Sequence, residues 1–250
     1  MENLLTDRAF WVKYWESKTD LAVPIPDDYL FHSELASLIQ SQNVQTAIEL
    51  GGFPGYYAVF LKRYFNLDVT LLDYFIHEPV TRALLEANGL GVHDIAVIET
   101  DLFSYKPEKQ YDLVLSCGLI EHFKDTADII QRHIDFVRPG GSLMITLPNF
   151  RALNGWFQKR FDKENYDKHN IDCMDPQLLR QICERAGLDV VQSRYYGHFS
   201  LWLENEKEKP ATVRLLKKTL WFAGKVFTKV LPFNSRALSP YIMLEARKPA

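Results

Sequence analysis

The sequence predicts an α/β fold: a doubly wound, mostly parallel sheet with helices on both faces. Three observations predict it. Short apolar or β-branched runs alternate with helical stretches of about ten residues. A glycine-rich turn separates the first of these runs from the helix that follows. Acidic residues recur at the ends of successive runs, where an open α/β sheet gathers its ligands.

The elements follow in order. Phe10, Trp11, Tyr14 and Trp15 recur at helical spacing and make one apolar face. Pro24 and Pro26 break the chain, and Tyr29–Gln40 reads as a second helix. The alternation then begins with a strand at Gln45–Leu50 and a helix at Tyr56–Phe65. Asp68–Leu72 is a strand, Pro79–Asn88 a helix closed by Gly89, and Ile95–Glu99 a strand. Tyr111–Ser116 is a strand and Asp125–Val137 a helix. Arg138-Pro139-Gly140-Gly141 reads as a turn and Ser142–Leu147 as a strand. Phe150–Asp175 shows little apolar periodicity and reads as a long polar connection. Pro176–Ala186 is a helix, and Leu188–Tyr195 and Tyr241–Ala246 are the last strands. No internal repeat interrupts the series.

Composition narrows the function classes. The chain has 250 residues, 47% apolar and 24% charged, which excludes a disordered or collagen-like chain and suits one large domain with appendages. Its net charge of −3 gives no global basic excess for nucleic acid. Cys117, Cys173 and Cys183 form no CxxC pair, so neither a zinc knuckle nor a disulfide framework is indicated. Glu2, Asp7 and Arg8 make the start unlike a secretory signal. No run is apolar over the length of a membrane span, and a cytoplasmic protein is the expectation.

The sharpest local signal is Glu49-Leu50-Gly51-Gly52-Phe53-Pro54-Gly55. Its glycines do not fit G-x-G-x-x-G, and a Walker lysine is missing, so a dinucleotide or phosphate cradle is disfavoured. An acid inside the turn suits a cationic ligand instead; the plainer reading is a tight turn with no ligand. Asp73 ends the second strand, where a carboxylate can accept from two ribose hydroxyls, or can merely cap a helix. Asp101 follows the third strand beside Leu102 and Phe103, placed to accept from an adenine amino group between apolar walls. Three strand-end acids in consecutive β–α units weigh more together than singly.

In these residues the chain resembles the class I S-adenosylmethionine-dependent methyltransferases, in order over roughly Thr46–Asn149 and plausibly on to the C-terminus. Glu49–Gly55 looks like the glycine motif of that family, Asp73 like its ribose acid, and Asp101-Leu102 like its adenine pair. Tyr111–Phe123 (YDLVLSCGLIEHF) and Val137–Asn149 (VRPGGSLMITLPN) look like the motifs around the fourth and fifth strands. The resemblance implies a Rossmann-like, seven-stranded sheet with an antiparallel last strand. It implies S-adenosylmethionine as cofactor, bound through Glu49, Gly51, Gly52, Gly55, Asp73, Tyr74, Asp101, Leu102 and Cys117. The aromatic face of Trp11, Tyr14 and Trp15 makes residues 1–40 an N-terminal helical lid over the cofactor or, on the plainer reading, a helix packed on the sheet; 41–250 would be the methyltransferase domain. The flavour is that of the small-molecule enzymes. Phe53 stands where the family usually has glycine, and narrows the turn. That departure keeps a non-catalytic protein with the same fold as the alternative.

A hydroxyl acceptor needs a general base beside the electrophile. His122 lies just past the fourth strand, where the acceptor meets the methyl group in that family. His169 lies in the long connection that closes the acceptor pocket in related enzymes. These two are the catalytic candidates, each set against a structural or solvated imidazole. His198 is a weaker third, and His32, His77, His93 and His133 read as ordinary surface or core residues. No cluster has metal-ligand spacing, so no metal is expected. An amine-methylating [N/D]-P-P-[Y/F] string is absent; the nearest is Leu147-Pro148-Asn149-Phe150. The expected activity is O-methylation of a small molecule, with no nucleic-acid partner.

One segment stands apart. Residues 206–236 hold eight basic and two acidic residues, although the whole chain is acidic. Inside it, Val213–Leu231 (VRLLKKTLWFAGKVFTKVL) forms a clean helical wheel, with Arg214, Lys217, Lys218, Lys225 and Lys229 on one side. Leu216, Leu220, Ala223, Val226, Phe227 and Val230 fall opposite. The plainer reading packs the apolar half on the body or on a second subunit. The other reading is peripheral membrane contact, which would suit a lipid-linked acceptor.

Overall fold

Seven branched or apolar runs become the strands of one sheet in the computed structural model, which describes residues 3–230 and 233–250. Met1, Glu2, Leu231 and Pro232 lie outside them, and with them the first two residues of the lid and the last of the Val213–Leu231 helix. The strands are β1 (Thr46–Leu50), β2 (Asp68–Asp73), β3 (Ile95–Glu99), β4 (Tyr111–Cys117), β5 (Val137–Pro148), β6 (Asp189–Tyr196) and β7 (Tyr241–Arg247). Their order is β3-β2-β1-β4-β5-β7-β6. β7 runs antiparallel to both its neighbours, β5 and β6, and every other pair in the sheet is parallel. The chain builds outward through β2 and β3, then returns to the other side of β1 with β4. That reversal makes a crevice at the carboxyl ends of β1 and β4. The expected fold class is the one observed.

The helices are α1 (Arg8–Glu16), α2 (His32–Gln42), α3 (Tyr56–Phe65), α4 (Glu78–Ala87), α5 (Thr126–Phe136), α6 (Ala152–Phe161), α7 (Lys163–Tyr166), α8 (Pro176–Arg185) and α9 (Ala211–Val230). One sheet face packs Leu50, Val114 and Ile145 against Ile130 and Ile134 of α5 and Leu179 of α8. The other packs Ala47, Leu113 and Met144 against Leu35 and Leu38 of α2 and Phe60 of α3. Each such leucine or isoleucine contributes roughly 1.5–3 kcal/mol by leaving water. Both faces of the central strands are covered, which holds their carboxyl ends rigidly in register.

Three expectations shift. The second helix begins at His32 rather than Tyr29, because buried Phe31 turns left-handed at φ 66° before it. Arg138–Gly141 is strand rather than turn. Gly140 N–H donates to the Lys248 carbonyl, and a Cβ at Gly141 would stand 3.0 Å from the Tyr111 carbonyl oxygen. Phe150–Asp175 contains α6 and α7 rather than an unstructured connection. Leu153, Phe157 and Phe161 recur at i, i+4, i+8 and seat α6 on Phe199 and Leu201. The polar residues between them masked that stripe.

Candidate functional site

The crevice holds a cavity of about 370 Å³. Its floor is the glycine turn. Gly51 lies at φ 63°, and a Cβ there would meet Leu119 at 2.5 Å. A Cβ at Gly52 would meet the Glu49 carboxyl carbon at 2.2 Å. Backbone therefore forms this wall where side chains would fill it. Glu49 is buried, and its Oε2 accepts from the Ala58 N–H at 2.7 Å, within the first turn of α3. Burial pushes its carboxyl up to about 8, and the nearby Asp73 charge adds to that. The acid expected to face a cation is thus largely occupied in holding the turn to α3.

Asp73 ties the same turn to β2. Its Oδ2 accepts from the Phe53 N–H at 2.9 Å and its Oδ1 from the Phe75 N–H at 3.0 Å. Burial raises it to about 6 despite those donors. Each oxygen keeps a second lone pair for a ligand hydroxyl. Asp101 Oδ1 accepts from the Phe103 N–H at 3.0 Å, beside Leu102. Phe53 lines the same cavity. Its buried ring packs on Phe75 at 5.6 Å and on Trp15 at 5.2 Å, while the cavity stays open beside it.

Trp15 belongs to α1, which lies across the cavity. Asp7 caps this helix by accepting from the Phe10 N–H at 2.8 Å. Arg8 fastens it to the sheet edge, donating to the Tyr74 carbonyl at 3.2 Å and pairing with Glu99 at 2.5 Å. Before α1, Leu5 N–H donates to the His122 carbonyl at 2.9 Å. Trp11 meets the His122 ring edge-on at 4.8 Å, and Trp11, Tyr14 and Trp15 all line the cavity.

At that end His122 meets His169, ring centroids 4.7 Å apart. Nδ1 of His122 contacts the Lys168 carbonyl at 3.1 Å and Nδ1 of His169 the Asn165 carbonyl at 2.7 Å. A carbonyl only accepts, so each Nδ1 carries the proton and each Nε2 keeps a lone pair. Burial lowers both pKa values, with His122 at about 3, so both rings are neutral at pH 7. Glu121, buried beside them, has a carboxyl pushed up by burial to about 8, and its Oε2 has no partner among the described residues. One ligating atom from each of Glu121, His122 and His169 lies within 4.8 Å of the others. This cluster could hold a cation, which sequence spacing did not reveal.

The family model for a methyltransferase domain matches residues 28–193. The chain belongs to the class I S-adenosylmethionine-dependent methyltransferases. It is 28% identical over 174 residues to the trans-aconitate 2-methyltransferase of Rhizobium leguminosarum bv. trifolii, covering 65% of this chain and 66% of that one. It is 27% identical over 128 residues to a probable (S)-tetrahydroprotoberberine N-methyltransferase 2 of Papaver bracteatum, covering 51% of this chain and 36% of that one. The chain therefore spans from about a third to just under two thirds of these relatives' length. In fold it is similar to the N-methyltransferase NodS of Bradyrhizobium japonicum, solved with S-adenosylhomocysteine. The TM-score is 0.54, with 15% identity, 98% of this chain and 100% of that chain covered.

The cavity has a floor free of side chains and carries the strand-end acids Asp73 and Asp101, features that suit the cofactor of this family. Of the predicted cofactor residues, Glu49, Gly51, Gly52, Asp73, Tyr74, Asp101, Leu102 and Cys117 line it. Gly55 does not; at φ 107° it opens α3 behind the turn. His122 lines it, and His169 stands behind His122. His198 is exposed and outside it, and His133 is core, bonded to the Ile129 carbonyl and Ser116. Sequence reasoning missed Tyr29, Tyr56 and Tyr57 in the lining, and placed Glu121 near a strand end, where functional residues gather, without assigning it a specific role. Tyr56 and Tyr57 directly follow Gly55, a signal that was available. Tyr29 had none, because it arrives through the turn before α2. No described helix is long and apolar enough to cross a membrane.

Proposed function

We propose that this methyltransferase moves a methyl group to an oxygen of a small-molecule acceptor, without a metal. The observation that carries the reading is the pair of neutral imidazoles, His122 and His169, at the lid end of a cavity whose other end carries the strand-end acids. S-adenosylmethionine, when bound, supplies an electrophilic sulfonium methyl. Asp73 would hold the ribose hydroxyls and Asp101 the adenine amino group. Tyr74, Leu102 and Cys117 would wall the ring and Gly51 and Gly52 the methionine end, with Glu49 fixing their backbone. Trp11 and Trp15 on α1, in residues 1–40, would close the site and exclude water. His122 would receive the acceptor's hydrogen bond at Nε2, with His169 fixing its ring. An imidazole of such low basicity suits an acceptor that is itself acidic, such as a carboxylic acid, enol or phenol. Similarity to a trans-aconitate methyltransferase supports that class.

The test has two stages. Calorimetry should show S-adenosylhomocysteine binding and no NAD binding. A panel of acidic hydroxyl and carboxylate acceptors, with amines as comparison, should then show turnover on oxygen. Binding without turnover on any oxygen acceptor, together with turnover on an amine, would overturn the oxygen assignment.

A further inference from the structure

Helix α9 divides into three faces. At about 100° per residue, Val213, Leu220, Gly224 and Thr228 share one narrow side with Lys217. That side meets the body. Val213 and Leu220 pack on the cluster of Phe157, Phe199 and Leu201. Gly224 is required there, because a Cβ would meet the Phe199 ring at 2.1 Å. The next face carries Leu215, Phe222, Val226, Val230, Leu216 and Phe227. These point outward: Leu215 is 67% exposed, Phe222 65% and Val230 73%. The third carries Arg214, Lys218, Lys225 and Lys229, all exposed. The body therefore takes only an edge of the apolar half, and the part of the plainer sequence reading in which that half packs on the body fails for most of it.

We infer that this outward face of α9 is a docking surface for an anionic phospholipid bilayer. The apolar face is broad enough to enter the acyl boundary, and the row of cations beside it meets the headgroups. No acidic residue lies in α9, and Lys217, paired with Glu206, is its one cation in an ion pair among the described residues. Trp221 lies between the basic face and the side that meets the body, with Lys225 over its ring at 5.5 Å, so the basic row borders the outward apolar face directly on its other side. A second copy is the poorer occupant. A two-fold contact would set the same basic row against itself. The exposed apolar residues also form a continuous face rather than the isolated exposures common on soluble proteins.

The experiment is flotation of the full chain with vesicles of phosphatidylcholine alone, or with about one third phosphatidylglycerol. The anionic vesicles should carry the protein at least about tenfold better. Leu215→Ser with Phe222→Ser, and separately Lys218→Gln with Lys229→Gln, should each lower that binding by roughly tenfold or more. High salt should mimic only the second pair. All four side chains are exposed and outside the cavity, so the thermal shift given by S-adenosylhomocysteine should be unchanged in both variants. The inference is overturned if the wild type floats with neither vesicle, or if both variants float like it. It is also overturned if sedimentation shows a dimer that Leu215→Ser with Phe222→Ser dissociates.

Discussion

On the proposed assignment, the cofactor end of the cavity takes its residues from within a few positions of strand ends, in chain order: Glu49 with Gly51 and Gly52, then Asp73, then Asp101. The acceptor end takes His122 from after β4, His169 from after α7 and Trp11 from α1. The first set stands on a sheet buried on both faces. The second is held by loop carbonyls, by aromatic edges and by the segment before α1. The contrast teaches that the end at the strand-end acids is pre-formed by the fold, whereas the end at His122 depends on α1 being docked. Substitutions at the two ends should therefore separate cofactor affinity from turnover.

The largest effect is expected at Gly52. An added methyl would collide with Glu49, which is buried and pinned to Ala58, so neither partner can yield. Gly52→Ala should weaken S-adenosylhomocysteine binding by a hundredfold or more, by calorimetry. It should also cost about 1–3 kcal/mol in denaturant unfolding. Gly91→Ala is the control, since its nearest neighbour there would be 3.5 Å away. Equal behaviour of the two variants would mean that the turn is not the rigid floor described.

His122→Ala should do the converse, lowering kcat by about a hundredfold with little change in S-adenosylhomocysteine affinity. His169→Ala should follow it more weakly, because it acts through the His122 ring. If either loses cofactor affinity as much as turnover, the two ends are not separable. Asp73→Ala should cost roughly ten- to a hundredfold in affinity, from lost ribose bonds and from orphaned Phe53 and Phe75 N–H groups. Asp73→Asn should recover part of it. Unchanged affinity in Asp73→Ala would move the ribose elsewhere.

The same contrast explains what the sequence disclosed. The strand–helix alternation and the residues that line the cavity after β1, β2 and β3 were legible, because a parallel strand end and the turn after it are local in sequence, whereas the antiparallel last strand rested on the family resemblance. Gly55 was misplaced because a motif does not say which of its glycines faces the ligand. Phe53 lines the cavity where the motif puts it, but its packing on Trp15 was not legible, because that partner comes from α1. The meeting of Glu121 and His122 with His169 depends on α6 and α7, whose apolar stripe lay hidden among polar residues. The outward face of α9 was illegible for a related reason. A wheel shows that a helix is amphipathic, but not which edge of its apolar half the body takes.

Smaller effects should appear in stability against pH. Between pH 4.5 and 6.5 the unfolded chain holds more protons than the folded one on His122 and His133, and fewer on Glu49 and Glu121, so the contributions oppose. Asp73, raised to about 6, adds to the carboxyl side. From pH 6.5 to 8 the histidines are neutral in both states, while the folded chain still holds carboxyl protons that the unfolded chain has released. Stability should then fall as pH rises, by up to about 1.4 kcal/mol per pH unit for each glutamate. Below pH 4.5 the contributions of the raised carboxyls fade, while the histidines and the lowered carboxyls of Asp112 and Glu34 act in the same direction, so stability should fall again toward pH 3. Thermal melts across this range should show a maximum near its middle, and Glu121→Gln should flatten the alkaline limb. A curve rising through pH 8 would mean that the two glutamates are ionised in the fold.

The smallest expected effect, and the sharpest discrimination at the acceptor end, is that of a chelator. Glu121, His122 and His169 offer donor atoms within 4.8 Å of one another, and both imidazoles are neutral with a free Nε2. Two arguments weigh against a resident cation. Burial keeps the Glu121 carboxyl protonated at neutral pH, so a cation must first displace that proton. A divalent charge beside the cavity would also repel the sulfonium at the short range where such repulsion is least screened. Incubation with a chelator should therefore leave turnover within about twofold, a change worth less than RT ln 10. A larger loss, restored by one added metal, would make the two histidines ligands rather than proton handlers. The acceptor would then be held through the metal, and His122→Ala would lose metal content along with kcat.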